Sequence, residues 1–420
     1  MNDKKRILVI ADSPLVPSGV GTQTKYMIDA LIKTGKYKFF CLAGAIRHKD
    51  YRLQKVDNYG DDWIIKPVDG YGDPNIIRAV LRDFKPDVLW FMTDPRFYVW
   101  LWQMEDEIRP NVPMVYYHVW DNYPYPMYNK VYYDSNDMIC TISKVTDDIV
   151  KTVSPEVESI RIPHTVDTNI FRKSTKESDS ATRKLIAGDS HSEKTIFFWN
   201  NRNARRKQSG TLLYWFKDFL DKVGHQNACL VMHTEPKDPH GQDLVAIANN
   251  LNLGRESIMF STQKMSAHDL ANVYSAVDCT INISDAEGFG LSTLESLSCE
   301  TPIIVSLTGG LQEQVTDGVN SFGFGIKPCS KAIIGSQEVP YIYEDRLNKE
   351  EFLIAMEKFY HMSKEDRIEM GRLSRQHVLN NYGFESYSKQ WQEVIEKVID
   401  KHGSWETRKN YKHWGIVEIK

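Results

Sequence analysis

Several absences narrow this 420-residue chain before any motif is considered. No apolar run approaches the ~20 residues that a membrane-spanning helix needs. Lys4-Lys5-Arg6 is followed by only five apolar residues before Asp12, too short for the core of a secretory signal. The six cysteines (Cys41, Cys140, Cys229, Cys279, Cys299 and Cys329) are scattered without a C-x-x-C pair. Most sit in apolar runs, so they read as reduced core thiols, not as a disulfide frame or a zinc site. A net charge of −4 gives no global reason to bind nucleic acid and leaves only a local basic groove for that purpose. The chain has no G-x-x-x-x-G-K-[ST] loop, which excludes a P-loop NTPase. It also has no D-x-D. Asp285-Ala-Glu287 is the nearest approach, so neither a metal clamp nor any other cofactor is expected. Together these absences describe a cytoplasmic protein, with peripheral contact at the inner membrane face left open.

What is present is an alternation of short apolar runs with helical patterns. Strands are expected over residues 6–11, 37–43, 87–92, 112–117, 138–142 and 161–163, with helices over 24–32, 76–84 and 144–152. Residues 174–194 turn polar and Ser-rich and read as a linker. The alternation then restarts, with strands over 195–199, 228–232, 258–260, 279–283 and 301–305 and helices over 211–223, 243–251 and 266–276. This spacing predicts an α/β protein with two Rossmann-like doubly wound domains. We place them at residues 1–182 and 183–384. From residue 348 the chain is mainly helical, with an apolar pattern over 387–399 and a loose polar-aromatic tail over 403–420. Ligands of open parallel sheets sit at the carboxyl ends of the strands, here expected in a cleft between the two domains.

The most informative stretch is Asp285-Ala-Glu-Gly-Phe-Gly-Leu-Ser-Thr-Leu-Glu295. A strand feeds a turn at Gly288-Phe289-Gly290 that opens a helix at Leu291, with Leu291, Leu294 and Leu297 on one face. Backbone amides at such a helix start favour an anion such as a phosphate. Glu287 and Glu295 bracket that position and would repel a phosphate, so their partners are hydroxyl groups on either side of it. A phosphate flanked by two polyols is a nucleotide sugar. The alternative for these residues alone is an ordinary helix start with two solvated glutamates.

Other candidates fall at strand ends. The segment Asn200-Asn-Arg-Asn-Ala-Arg-Arg-Lys207 supplies Arg202 and Lys207 as cations for a diphosphate, and Arg205 or Arg206 could replace either. His233 follows another strand. His118-Val-Trp-Asp121 permits a His–Asp pair or a buried structural histidine. Around it stand many aromatics, Phe97, Tyr98, Tyr116, Tyr125 and Tyr133 among them, whose faces could stack on an acceptor or fill the core. Gly19 and Gly21 in Ser18-Gly-Val-Gly-Thr22 begin a dinucleotide fingerprint, but Thr24 stands where its third glycine belongs and the next strand ends without an acidic residue. That disfavours an oxidoreductase. A close ligand approach and a purely structural turn both remain open for this loop.

These residues resemble a known family. The chain is similar to GT-B fold glycosyltransferases, and most to family four of the retaining, nucleotide-sugar-dependent enzymes. The segment from Glu287 to Glu295 matches that family's Glu, seven residues, Glu motif. Thr141-Ile-Ser-Lys144, Ile162-Pro-His-Thr-Val-Asp-Thr-Asn-Ile-Phe171 and Gly309-Gly-Leu-Gln-Glu313 fall where it has recurrent sequences. The resemblance spans roughly residues 5 to 400. It implies that Glu287 contacts the donor sugar, Glu295 the ribose, Arg202 and Lys207 the diphosphate, and His118 the sugar site. It also implies that Gly19 and Gly21 shape the first loop, and that a helix over 385–402 crosses back to the first domain.

The function this implies is transfer, with retention, of a sugar from a UDP- or GDP-linked donor to an acceptor hydroxyl of a glycan or lipid-linked glycan. Arg206, His233 and the Gly288 to Leu291 turn would complete donor binding. The alternatives are a modified base in DNA as acceptor, a nucleotide-sugar epimerase, a sugar phosphorylase and, less favoured, a non-catalytic sugar-binding module.

Overall fold

β-Branched and aromatic runs that are buried on both faces favour parallel strands covered by helices, and this chain builds two such sheets. The computed structural model describes residues 4–190 and 193–412. Its contacts divide the chain into two units, residues 1–165 with 384–420, and residues 166–383.

In the first unit the strands are β1 (Lys5–Asp12), β2 (Tyr37–Gly44), β3 (Gln54–Val56), β4 (Gly60–Pro67), β5 (Val88–Met92), β6 (Met114–His118), β7 (Met138–Thr141) and β8 (Ser159–Arg161). Their order is β3-β4-β2-β1-β5-β6-β7-β8. All neighbours are parallel except the β3–β4 pair, which is antiparallel. β1 lies at the centre, with Ile7–Ile10 paired to β2 on one side and β5 on the other. The sequence pattern does not mark β3 and β4, because β4 opens with Gly-Asp-Asp and alternates half-buried and buried positions.

The expected glycine loop is the first turn of a helix. Gly19–Ile32 is helical, capped by Ser18, whose Oγ accepts from Gly21 N at 2.9 Å and donates to Asp12 Oδ2 at 2.6 Å. A Cβ on Gly21 would stand 2.7 Å from Ser13 O and 2.8 Å from Val16 O. This glycine therefore meets the chain's own backbone. The long helix Phe384–His402 belongs to the same unit. Trp391 is fully buried against Trp90 and Tyr117, at ring separations of 5.8 and 5.0 Å. Ser388 Oγ donates to Ala30 O at 3.1 Å. The crossover helix thus completes the first unit's core.

The start of the tail is anchored. Ser404 Oγ donates to Asp87 Oδ1 at 2.8 Å, Trp405 Nε1 to Pro86 O at 3.0 Å, and Arg408 pairs with buried Asp137 at 2.8 Å. Residues 413–420 lie outside the described residues.

The second unit holds β9 (Thr195–Asn200), β10 (Ala228–His233), β11 (Ile258–Ser261), β12 (Cys279–Asn282), β13 (Ile303–Ser306) and β14 (Gly323–Ile326), in the order β11-β10-β9-β12-β13-β14 and all parallel. Phe197, Leu213, Phe216, Leu230, Ile281 and Phe359 centre its core. A separate antiparallel pair, β15 (Ser330–Ile334) with β16 (Ile342–Arg346), follows. The strand order reverses between β9 and β12, so the crevice of this sheet opens beyond Asn200 and Asn282.

The polar stretch read as a linker contains the helix Lys176–Ala187, none of whose residues is buried. Without an apolar stripe it leaves no periodic signal, and polar bonds hold it instead. Arg183 reaches Asp278 at 2.9 Å, Ala276 O at 2.8 Å and Lys194 O at 2.7 Å, all within the second unit. Residues 166–182 accordingly group with that unit. No helix among the described residues is long and apolar enough to cross a membrane.

Candidate active site

Beyond β12, Asn282 Oδ1 accepts from Ser284 N at 3.1 Å and from Ser284 Oγ, while Ser306 Oγ of β13 donates to Ser284 O at 2.7 Å. These bonds fix where the strand ends. Asp285 is then held from three directions. Its amide donates to Arg206 O at 2.8 Å, and its carboxylate takes Gln208 Nε2 at 2.6 Å and Arg346 at 2.8 Å. Burial pushes the Asp285 carboxyl up to about 6 in spite of these partners.

Glu287 follows, half-buried and paired with Lys207, the last residue of the basic segment. Asn282 Nδ2 lies 3.4 Å from the same carboxylate, and Arg206 Nη1 donates to Ala286 O at 2.5 Å. Burial alone would raise the Glu287 carboxyl. Lys207 first, then Arg206, and the hydrogen bonds outweigh it and hold this group below its usual range, so it is ionised.

The turn that opens the helix Leu291–Ser298 requires glycine. Gly290 has φ of 90°, and a Cβ there would stand 2.5 Å from Leu311 Cδ2 and 2.7 Å from Thr293 Oγ1. Gln314 Nε2 donates to Phe289 O at 2.7 Å and to Gly290 O at 3.1 Å, and Thr293 Oγ1 donates to Gln314 Oε1 at 2.6 Å. With these carbonyls tied inward, the helix start directs its amide ends outward. Gly310 packs directly on the turn: its amide donates to Glu287 O at 3.2 Å, and a Cβ on it would lie 2.7 Å from Phe289 Cα. Leu294 and Leu297 are fully buried and pin the helix to the sheet.

Glu295 sits one helical turn further on, half-buried. Tyr274 donates to its Oε2 at 3.0 Å, and Asn200 Nδ2, at the end of β9, donates to the Tyr274 hydroxyl at 2.8 Å. Burial drives the Glu295 carboxyl up to about 7, although the Tyr274 bond pulls the other way. The two glutamates therefore differ: Glu287 is neutralised by a cation, whereas Glu295 is met by a tyrosine hydroxyl.

The basic segment divides its work. Lys207 pairs with Glu287, and Arg206 braces the same loop. Arg205 makes a two-point pair with Glu344 at 2.7 and 2.6 Å. Arg202 is largely exposed and engages Asp238 at 2.7 Å and His240 at 2.8 Å. The structure thus brings Lys207 and Arg206 to the Glu287 loop and directs Arg202 elsewhere. His233, at the end of β10 and in register with Asn200, bonds Ser261 Oγ at 3.0 Å, and burial lowers its affinity for a proton. The sequence pattern does not single out Asn200, Tyr274 or Gln314. Asn200 at least lay in the polar segment after β9, but Tyr274 reads there as one more aromatic on a helix face.

In the first unit His118 ends β6, fully buried between Tyr116 and Tyr133, at ring separations of 5.0 and 4.7 Å. Neither ring nitrogen has a hydrogen-bond partner, so no pair with Asp121 forms. Burial lowers its pKa to about 3, and the imidazole is neutral. Most of the surrounding aromatics are core: Tyr98, Tyr116 and Tyr133 are fully buried, while Phe97 and Tyr125 are exposed. Among the described residues no cluster of three or more His, Cys, Asp or Glu side chains could hold a metal ion.

Comparison with known proteins follows the same division. Residues 177–354 match the family model for glycosyl transferases group 1. That match lies within the second unit. A D-inositol 3-phosphate glycosyltransferase of Streptosporangium roseum is 40% identical over 68 residues, a match spanning 16% of this chain and 16% of that protein. The curated relatives are thus matched over a small part of their length.

Solved structures align with nearly the whole chain. Sucrose-phosphate synthase from Thermosynechococcus elongatus covers 95% of this chain and is itself covered completely, with a TM-score of 0.76 at 15% identity. Anabaena HepE in complex with UDP and glucose covers 94% and is also fully covered, with a TM-score of 0.69 at 13% identity. The fold is GT-B, as the resemblance implied.

Proposed function

We propose that this protein is a retaining, metal-independent glycosyltransferase that moves a sugar from a UDP- or GDP-linked donor to an acceptor hydroxyl of a glycan or lipid-linked glycan. The observation that carries the reading is the arrangement around Gly290. A helix start there faces outward between an ionised glutamate held by Lys207 and a second glutamate held by Tyr274. The helix amides and the cations Lys207 and Arg206 suit a diphosphate. Glu287 suits the hydroxyls of the sugar and Glu295 those of the ribose. HepE, which shares this fold, binds UDP and glucose, which is consistent with such a donor.

In the mechanism we infer, the bond between the anomeric carbon and the diphosphate oxygen breaks, and its electron pair stays on that oxygen. Lys207 and the amides of the Gly290 turn stabilise the charge as it develops. The acceptor oxygen bonds to the anomeric carbon on the face the diphosphate is leaving. Its proton passes to the departing phosphate oxygen, which balances the exchange. Glu287, ionised, stabilises the positive charge on the sugar ring and aligns its hydroxyls. Cations and amides already present for the leaving group are the reason we assign no metal to this step.

The reading is tested by incubating the protein with UDP- and GDP-linked sugars and glycan acceptors in the presence of EDTA. Formation of a glycoside with the donor's anomeric configuration is expected. Lys207→Ala should lower the rate by about 10²–10³, the usual cost of removing one preorganised charge partner. Epimerised or phosphorolysed donor, or nucleotide binding without turnover on any acceptor, would replace this reading with one of its alternatives.

A further inference from the structure

The hydrogen-bond line from β9 to Glu295 has a direction, and that direction gives it a role. Asn200 Nδ2 can only donate, and it donates to the Tyr274 hydroxyl at 2.8 Å. The Tyr274 proton is thereby turned toward Glu295 Oε2, 3.0 Å away. Tyr274 is fully buried, its ring meeting Phe198 edge-on at 5.2 Å and Phe171 at 6.2 Å, and Thr301 Oγ1 bonds its carbonyl at 2.6 Å. The ring therefore cannot swing away. Glu295 Oε1 accepts no hydrogen bond among the described residues, and one carboxylate oxygen stays available while the other is held.

We infer that Tyr274, oriented by Asn200, is a positioning residue that locks Glu295 so that its other oxygen, Oε1, receives the ribose hydroxyls of the donor nucleotide. The inference rests on the proposed reading of Glu295 as the ribose partner. It adds a pair of residues that make the site select a ribonucleotide over one without those hydroxyls. Both residues act through Glu295 and touch neither the sugar nor the reacting atoms, so their effect belongs in binding and not in turnover.

The test measures dissociation constants for UDP and GDP, and for their 2′,3′-dideoxy forms, in the unaltered protein and in Glu295→Gln, Tyr274→Phe and Asn200→Ala. The unaltered protein should prefer the ribonucleotide. Glu295→Gln should abolish that preference. Tyr274→Phe should weaken ribonucleotide binding about tenfold, the scale of one hydrogen bond to a charged group, and leave the dideoxy form unchanged. Asn200→Ala should act in the same direction but less strongly, and it serves if the phenylalanine variant does not fold.

The pH profile gives an independent readout. The groups that set the Glu295 carboxyl are its burial and Tyr274, while the neighbouring Cys299 thiol is pushed well up and stays neutral. Since Tyr274 lowers the Glu295 pKa, its loss should move the acid limb of ribonucleotide binding to higher pH. If Glu295→Gln keeps the ribose preference, the reading of Glu295 itself fails. If Glu295→Gln loses it while Tyr274→Phe binds as before with its acid limb in place, the positioning role is overturned. Equal weakening of ribo and dideoxy forms by Tyr274→Phe would also overturn it, because that marks a merely structural side chain.

Discussion

Glu295 offers a perturbation whose size follows from its surroundings. Its carboxyl is raised from 4.5 to about 7 by burial, with no cation to offset it. The sign follows from proton linkage. Below about 4.5 the group is protonated in folded and unfolded chains alike, and its burial costs nothing as a charge. Between about 4.5 and 7 the unfolded chain ionises first, and the folded state loses stability with each pH step. Above 7 the loss is complete. At about 1.4 kcal/mol per pH unit the full interval corresponds to roughly 3 kcal/mol. Water reaching the half-buried side chain reduces that to roughly 1–2 kcal/mol. Glutamine keeps the shape and can still accept from Tyr274, but it never charges. Glu295→Gln should therefore be more stable than the unaltered protein at pH 8, by roughly 2–8 °C in the midpoint of the second unit. The difference should shrink to nothing at pH 4.5. Thermal unfolding followed by calorimetry at pH 4.5, 6 and 8 provides the measurement. A variant that is no more stable at pH 8, or equally stabilised at every pH, would refute the claim that this carboxylate is held against its own solvation. Under the proposed function, contact with the ribose hydroxyls is the reason for keeping so costly a group.

Three further outcomes follow from the packing and the charges. Gly290→Ala should cost about 1–3 kcal/mol, because its backbone is left-handed and Leu311 and Thr293 fill the space of a Cβ; denaturant titration checks this. Trp391→Ala should cost about 3–5 kcal/mol in the first unit, since the ring is fully buried against Trp90 and Tyr117; an unchanged midpoint would mean the crossover helix is not part of that core. Arg202→Ala should change transfer far less than Lys207→Ala, because Arg202 is engaged by Asp238 and His240 while Lys207 faces Glu287. Initial rates of the two variants compare them directly.

The alternating apolar runs carried most of the architecture because strands buried on both faces leave continuous hydrophobic stretches. Where the sequence carries no signal, the cause is physical. The helix Lys176–Ala187 buries none of its residues and so has no stripe to read. β14 carries Gly323 and Gly325 because Ile303 and Leu307 crowd the positions of their side chains, and glycine masks a strand. At the site, Glu287, Gly290, Glu295 and Lys207 were legible because charge and glycine stand out at strand ends. Tyr274 and Gln314 come from distant elements, and only the folded chain brings them to that turn. The cation nearest Glu287 was likewise undecidable among four basic residues until the backbone placed Lys207 there.

The central claim is that the second unit binds a nucleotide diphosphate through the Gly290 turn and Lys207. Isothermal titration of the whole protein with UDP and GDP in EDTA tests it most directly. Saturable binding of one nucleotide near one equivalent is expected, weakened at least tenfold in Lys207→Ala. Absence of heat with both nucleotides from a folded protein, or unaltered affinity in Lys207→Ala, would contradict it.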